Sequence, residues 1–480
     1  MISEDLRLLI RQNFQYEPTK QQEKVLQMFC SFLLSRDGDL LFLLRGYAGT
    51  GKTSLIAALV RTLAMLQQRF TLLAPTGRAA KIMAEYSGCP ASTIHRQIYR
   101  QKTFGEEIFT SAPNLQADTL YIIDEASMIA NQGLSGSVFG DGRLLDDLIH
   151  YVYSCEGCRI IMVGDTAQLP PVGEEESPAL SPQCLSGYGL NVMETELTEV
   201  VRQASESGIL WNATMLRQTL QGVITGMPRF DVNLPEISVL SGQELIEQME
   251  DSYYRQGHDG VIVITRSNRR ANIYNKGIRQ RIFDCEEELE GGDLIMVAKN
   301  KYYKREMGDG KWEADLIANG EMATVRRLRH HRELYGFHFA DATIELNEHD
   351  NSNPSNHNPQ LELDVVLLLD TLHTEAPALT REQQEHLFQS VCADYPELHS
   401  KKELYRAVKE DQHYGALQIK YAYAITCHKA QGGQWSDVYI DQGYMTEEML
   451  DENYIRWLYT AITRATNHVY LVNWPEEQTM

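Results

Sequence analysis

Residues 45–54 read RGYAGTGKTS, and their types and spacing suit one chemistry, a grip on polyphosphate. From Gly46 to Thr53 the run fits G-x-x-x-x-G-K-[ST]. Gly46, Gly49 and Gly51, with Thr50 between them and Ser54 after, can turn backbone N–H groups toward phosphate oxygens. Lys52 can reach the β- and γ-phosphates, and Thr53 can hold Mg²⁺. In LYIIDEASM (120–128), Asp124 sits where a carboxylate would orient Mg²⁺ and its waters, and Glu125 is the candidate base for the attacking water. Phosphoryl transfer asks for in-line placement and charge neutralisation rather than covalent help. A loop of this kind paired with a strand-end Asp-Glu favours hydrolysis over transfer to a second substrate. Gln168, in IIMVGDTAQLPPV (160–172), can read a γ-phosphate and report its loss.

These residues need elements to hold them. The apolar run LLFLL (40–44) reads as a buried parallel strand, and SLIAALVRTLAMLQQ after the loop has helical spacing. TLLAPTGRAAK (71–81), LYIID and IIMVGD are further strands that turn into helices or loops. Alternating strands and helices imply an α/β parallel sheet with its working loops at the strands' C-terminal ends.

Length and composition bound the rest. At 480 residues the chain exceeds a single-domain size. With 43% hydrophobic and 23% charged residues it is ordinary for a soluble protein, and no apolar run reaches membrane-spanning length. MISEDLRLLIRQ is not a signal peptide, so a cytoplasmic location is expected. Cys155 and Cys158 form a lone CxxC with no second pair at zinc spacing, so they read as ordinary thiols. The net charge of −22 weighs against nucleic acid, but its distribution does not. Residues 265–332 carry 15 Lys and Arg against 11 Asp and Glu, and TRSNRRANIYNKGIRQR (265–281) has six positive residues and no acid. Screening lets a basic island on an acidic body contact phosphates.

GYAGTGKT, APTGRAA, STIH (92–95), DEAS, GDTAQLPPV, VVRQ (200–203), CHKAQGGQ (427–434) and YTAITRA (459–465) occur in this order. The set resembles superfamily 1 helicases, and within them the 1B group of RecD, Dda and the Pif helicases, over residues 18–472. DEASM and GD-x-x-QLPPV look like RecD or Dda; the DEIS form usual in Pif helicases is absent, as are the TFTNKAA and GDDDQSIY forms of the Rep and UvrD group.

The resemblance implies ATP held between two RecA-like lobes. Lobe one supplies Lys52, Thr53, Asp124, Glu125 and Gln168, and Gln22 in TKQQ matches the adenine-reading glutamine. Arg464 and Arg202 would close on the γ-phosphate; either alone reads as a surface arginine. Gly432 matches a phosphate-contacting glycine, and Gln434 stands where many relatives have a ribose-contacting Glu. The resemblance also implies single-stranded DNA gripped by its backbone across both lobes. Pro75, Thr76 and Gly77, Thr93 and His95, Thr265 and Asn268, and His428 and Lys429 match those contacts. His95 and His428 read equally well as core histidines.

The expected fold is two RecA-like parallel-sheet lobes with a small β-hairpin insertion and an SH3-like β insertion bearing added helices. Lobe one covers 1–97 and 119–204 around a hairpin at 98–118; lobe two covers 205–325 and 416–480 around the SH3-like insertion at 326–415. Phe104 is expected at the hairpin tip, where the family splits duplex. ANQGLSGSVFGDG (130–142) and GEEESPALSPQ (173–183) read as turn-rich, mobile loops. Thr380 with Gln383 and Ser400 with Glu403 fit capping boxes of the added helices.

The expected activity is a DNA-stimulated ATPase moving 5′ to 3′ on single strands and unwinding ss/ds junctions. Two lobes in one chain complete an ATP site, so a monomer suffices, with repair or nuclease proteins as candidate partners. Three alternatives stay open: an ATP-gated nucleic-acid-binding subunit without unwinding of its own, an RNA helicase, since the matched contacts read no 2′-OH, and a small-molecule P-loop kinase, which leaves the second-lobe motifs unexplained.

Overall fold

The computed structural model describes residues 2–101, 109–133, 142–201, 207–224, 226–307, 311–346 and 361–480. Two all-parallel sheets carry the architecture. The first has six strands in the order Ala91–Thr93, Phe70–Ala74, Leu120–Ile123, Arg159–Gly164, Leu40–Gly46 and Asn191–Leu197. In Leu40–Gly46, Leu41 and Leu43 enter one core cluster while Phe42 and Leu44 enter another. Both faces are covered, so the strand reads as a continuous apolar run rather than an alternation. The second sheet has five strands in the order Ala424–Thr426, Val261–Thr265, Trp435–Asp441, Ala465–Val472 and Ile237–Leu240.

A closed five-stranded barrel grows from the second lobe: Leu294–Val297, Met322–Leu334, Phe337–Leu346, Leu361–Leu368 and Leu417–Tyr421. It is the SH3-like insertion, but wider than 326–415. Its first and last strands come from stretches assigned above to lobe two, and they pair with each other antiparallel through Ile295 and Tyr421. Helices Arg381–Cys392 and Lys401–Glu410 close one side of the barrel, with Leu387, Val391 and Val408 packed on Phe337, Phe339 and Leu368. Thr380 and Gln383 form the expected capping box, whereas the Ser400 side chain makes no cap hydrogen bond.

The small hairpin is present as strands Tyr99–Gln101 and Phe109–Ser111, paired antiparallel with Gln101 opposite Phe109. Phe104 lies outside the described residues, as does Arg202. Most of the 130–142 loop lies outside them too. GEEESPALSPQ, expected as a mobile loop, instead forms a 3₁₀ turn at Pro178–Leu180 and starts the short helix Pro182–Ser186. The reason is packing: Ala179, Leu180 and Leu185 are buried in the lobe-one core.

Candidate ATP site and nucleic-acid face

The phosphate loop joins strand Leu40–Gly46 to helix Lys52–Met65, whose N-cap is Gly51 in the left-handed region (φ 84°). Gly49 is left-handed as well (φ 73°). A side chain at Gly51 would run into the Gln22 amide. Gln22 is buried and fully engaged: its Nε2 donates to the Thr50 carbonyl (2.9 Å), and its Oε1 accepts from the Thr19 N–H (2.9 Å) in a capping box. In this conformation it braces the loop from behind. The Thr50 hydroxyl donates to the Tyr47 carbonyl (2.8 Å). Lys52 Nζ donates to the carbonyls of Gly46 (2.7 Å) and Tyr47 (2.9 Å) and lies 3.9 Å from Asp165 Oδ2. Thr53 and Ser54 sit in the first helical turn, Thr53 exposed and Ser54 half-buried.

At the end of Leu120–Ile123, Asp124 accepts from the Glu125 N–H (2.8 Å) and from the Tyr86 hydroxyl (2.7 Å). Burial, and then the neighbouring Glu125 carboxylate, push the Asp124 acid above the usual carboxylate range. Glu125 itself is left-handed (φ 51°, ψ 38°). A non-glycine residue held there is strained, and such strain gathers at functional sites. Two carboxylates side by side beside Lys52 want a further cation. Asp124 and the Thr53 hydroxyl are the oxygen donors that would hold Mg²⁺, which prefers oxygen ligands and substrate phosphates. Gln168 is buried, and its side-chain Oε1 has no partner among the described residues. A buried acceptor left open suits a water that arrives with the nucleotide.

Lobe two closes directly onto this site. Arg464 is 5% exposed and donates to the carbonyls of Thr460 (3.1 Å) and Gly433 (3.2 Å), with Nη1 3.9 Å from Glu125 Oε1. The Tyr459 hydroxyl donates to Asp165 Oδ2 (2.7 Å) and accepts the N–H of Ala48 in the phosphate loop (2.8 Å). Thr460 Oγ1 accepts from the Leu169 N–H (2.9 Å), Gln431 Nε2 donates to the Leu169 carbonyl (2.7 Å), and Arg456 donates to the Thr166 carbonyl. The GDTAQL turn of lobe one is thus held by helix Glu452–Ile462 and by Gln431 of lobe two. Tyr459, Asp165, Tyr86 and Arg456 were missed in the sequence. Their one signal was position: three lie inside or beside motifs already singled out, but a tyrosine in an apolar helix reads as core.

Gly432 (φ 70°) abuts helix Gly77–Ser87, where a Cβ would stand 2.9 Å from Ala79 Cβ and 3.2 Å from Thr76 Oγ1. Gln434 is exposed, and its carbonyl accepts from Arg78 (3.0 Å), whose guanidinium stacks 3.8 Å over Trp435. Burial lowers the Arg78 pKa to about 10. The structure therefore sets Gly432 and Gln434 against the APTGRAA turn of lobe one.

The residues matched to strand contacts stand at the C-terminal ends of neighbouring parallel strands. Thr93 is in register with Ala74, which precedes Pro75, Thr76 and Gly77; Thr265 is in register with Thr426, which precedes His428 and Lys429. Thr76 and Thr93 cap helices, accepting from the N–H of Ala79 and Arg96. Thr265 is buried and donates to the Ser267 carbonyl (3.1 Å), so it shapes the turn rather than facing solvent. Asn268 Nδ2 donates to the Glu375 carbonyl (3.0 Å), and Lys429 Nζ to Asn319 Oδ1 (2.5 Å). Burial holds the His95 pKa near 4, so its ring is neutral at pH 7. His428 is exposed.

Known proteins bear on this arrangement. The AAA domain family matches residues 19–223, and the UvrD-like helicase C-terminal domain family matches residues 421–472. The two segments are the two halves that meet at Tyr459 and Asp165. These matches support a superfamily 1B helicase of the RecD, Dda and Pif kind. It is 29% identical over 317 residues to the ATP-dependent RecD2 DNA helicase of Deinococcus radiodurans, over 64% of this chain and 40% of that one. It is 28% identical over 295 residues to the ATP-dependent DNA helicase dda of Enterobacteria phage T4, over 59% of this chain and 62% of that one. The chain thus spans less than two thirds of the length of either relative. A Pif1 helicase from Bacteroides, solved with ADP-AlF3 and ssDNA, is 16% identical with a TM-score of 0.47, over 97% of this chain and 95% of that one.

Proposed function

We propose that this chain is an ATP-dependent DNA helicase that translocates 5′ to 3′ on single-stranded DNA and unwinds duplex ahead of it. The observation that carries the ATPase part is the Arg464 guanidinium, buried and 3.9 Å from the Glu125 carboxylate across the lobe boundary. A hydrolytic base and a charge-stabilising arginine from different lobes can act together only when the lobes are closed. Mg²⁺, bound with ATP, would neutralise charge on the β- and γ-phosphates. Lys52 exchanges its loop carbonyls for phosphate oxygens. Glu125 polarises the attacking water and takes its proton, Gln168 Oε1 accepts a hydrogen bond from that water's other O–H, and Arg464 neutralises the charge that develops. Arg202 is proposed as a second arginine at the same phosphate, and Gln22, Gly432 and Gln434 as nucleotide contacts.

Opening and closing of the lobes would alternate their hold on a strand laid across Pro75–Gly77, Thr93 and His95 on one side and Asn268, His428 and Lys429 on the other. Thr265 supports that face from beneath. Support for DNA as the track comes from the relatives' activity; support for polarity comes from the resemblance to the 1B group alone. A cytoplasmic monomer, acting with repair or nuclease partners, fits the same reading.

The test is ATP-dependent strand displacement on duplexes with a 5′ or a 3′ single-stranded tail. Displacement from the 5′ tail alone is the expected result. Displacement from the 3′ tail alone overturns the polarity, and ATP hydrolysis without displacement from either favours an ATP-gated binding subunit.

A further inference from the structure

Tyr86 reaches the ATP site from outside the motifs that form it. It is the penultimate residue of helix Gly77–Ser87, and its half-buried ring packs on the core cluster that holds Phe42 and Leu44. Its hydroxyl donates to Asp124 Oδ2 at 2.7 Å. The other oxygen, Oδ1, accepts from the Glu125 N–H at 2.8 Å. Each oxygen has a donor of its own, so the plane of the carboxylate is fixed from two sides. A carboxylate offers about four lone-pair sites, and two bonds leave acceptor capacity for a cation and its waters. The Glu125 N–H belongs to the next residue and moves with Asp124. Among the described residues, Tyr86 supplies the hydrogen bond that ties the Asp124 side chain to another element.

Tyr86 is itself held in place. Its carbonyl accepts from Arg61 Nη2 (3.4 Å), and Arg61 lies on helix Lys52–Met65, which begins at the phosphate loop. Gly88, left-handed (φ 70°), closes helix Gly77–Ser87 just beyond it, its N–H donating to the Ala84 carbonyl (2.9 Å). The first turn of the same helix is seated on lobe two, where Arg78 donates to the Gln434 carbonyl and stacks on Trp435. A helix fixed at both ends keeps a hydroxyl near its end in one place. The hydrogen-bond partners of a metal-ligating carboxylate set its orientation, and losing one typically costs about 10- to 100-fold in metal affinity or activity. We infer that Tyr86 is a positioning residue of the ATPase: its hydroxyl holds the Asp124 carboxylate in the orientation that receives Mg²⁺ with the nucleotide. This rests on the ATP-hydrolysis reading above. The hydroxyl makes no hydrogen bond to the phosphate loop among the described residues, so the loop's own hold on nucleotide does not depend on it.

The experiment follows binding of a fluorescent ADP to the full chain as Mg²⁺ is titrated, beside a metal-free control in EDTA. Tyr86→Phe keeps the ring and removes only the hydroxyl. The expected result is metal-free affinity within about twofold of wild type and a Mg²⁺ midpoint raised about tenfold, the low end for such a partner. Mn²⁺ in place of Mg²⁺, read by the loss of the free-ion EPR signal, should show the same shift without turnover. Asp124→Asn should raise the midpoint at least as far, and adding Tyr86→Phe to it should change nothing more. Tyr86→His, whose shorter ring stops short of the carboxylate, should repeat the raised midpoint and decides the matter if Tyr86→Phe fails to fold. A wild-type midpoint in the folded variant, with only its Tm lowered, overturns the inference and leaves the hydroxyl a packing partner. A further shift on adding Tyr86→Phe to Asp124→Asn overturns it too, because the hydroxyl would then act elsewhere than through Asp124. Wild type that binds no ADP with or without Mg²⁺ overturns the ATP-hydrolysis reading itself.

Discussion

The Tyr459 hydroxyl donates to the Asp165 carboxylate at 2.7 Å, and the two residues belong to different lobes. The same oxygen accepts the Ala48 N–H of the phosphate loop at 2.8 Å. One buried hydroxyl thus ties helix Glu452–Ile462 of lobe two to the glycine loop of lobe one. Asp165 lies in turn 3.9 Å from Lys52, so the link reaches the ammonium proposed to bind phosphate. Tyr459→Phe keeps the ring and removes both bonds, leaving a buried N–H and a buried carboxylate oxygen short of a partner. Each such loss costs about 1–3 kcal/mol. The expected outcome is a lower Tm and a kcat for ATP reduced about tenfold or more, with nucleotide affinity changed less. A kcat equal to wild type would show the contact to be packing only.

The chemistry itself is separable by substitution. Lys52→Ala should abolish hydrolysis and weaken ATP binding, because no other lysine or arginine reaches the loop carbonyls among the described residues. Glu125→Gln should hold ATP while slowing turnover at least about 100-fold, since it keeps the shape and loses the base. Arg464→Lys should lower kcat about 1,000-fold, at the low end of what an arginine supplies to phosphoryl transfer. Fluorescent-nucleotide binding and steady-state ATPase rates on the three variants check this, and normal turnover in any one removes that residue from the mechanism.

Gly432, proposed above as a nucleotide contact, also tests closure of the lobes. Its φ of 70° disfavours a Cβ by about 1–2 kcal/mol, and that Cβ would press on Ala79 of the opposite lobe at 2.9 Å. Gly432→Ala should therefore push the lobes apart. ATP should still bind lobe one with near wild-type affinity, and kcat should fall about tenfold. A matching loss of affinity would show that the Cβ disturbs the nucleotide contact proposed for Gly432 more than it disturbs closure.

What is legible in the sequence follows from how strictly the chemistry fixes spacing. The spacing of GYAGTGKT between a strand and a helix makes the loop legible, and the structure does start the helix at Lys52, directly after it. Asp124 is legible only because the strand-end Asp-Glu follows the glycine loop upstream; alone it would say little. Tyr459 and Tyr86 are not, since their roles depend on contacts made across the fold. The barrel's outer strands, Leu294–Val297 and Leu417–Tyr421, look like any buried strand, and only pairing reveals which sheet they join. GEEESPALSPQ misleads for a different reason. Its prolines and serines read as punctuation, whereas Leu180 fills the space beside Gly164, where a Cβ would come within 2.8 Å of Leu180 Cδ2.

His95 gives a pH dependence with a definite sign. Burial holds its folded pKa near 4, below the ordinary histidine value of about 6.5. Between those values the unfolded chain binds a proton that the folded chain does not, so stability falls as pH drops from about 6.5 toward 4. His95→Gln should flatten this part of the Tm–pH profile. Oligo-dT affinity at pH 7 should respond to the lost ring contact and not to a lost charge, leaving the salt slope unchanged. A slope reduced by about 0.7 in His95→Gln would mean the ring is cationic when the strand is bound.

On the function proposed above, the hairpin is the element that would turn translocation into unwinding. Its strands Tyr99–Gln101 and Phe109–Ser111 rise directly from the helix that Thr93 caps, the short segment Ile94–Ile98 bearing His95. Anything at the tip is therefore tied to a residue proposed to touch the single strand. Phe104, outside the described residues, is the aromatic that the tip would present to a base pair at the junction. Phe104→Ala should leave DNA-stimulated ATP hydrolysis within about twofold of wild type and cut strand displacement from a 5′-tailed duplex about tenfold or more. Translocation on single strands, followed by streptavidin displacement from a biotinylated end, should persist. Equal losses of translocation and unwinding would assign Phe104 to strand grip, and unwinding at the wild-type rate would exclude it as the wedge.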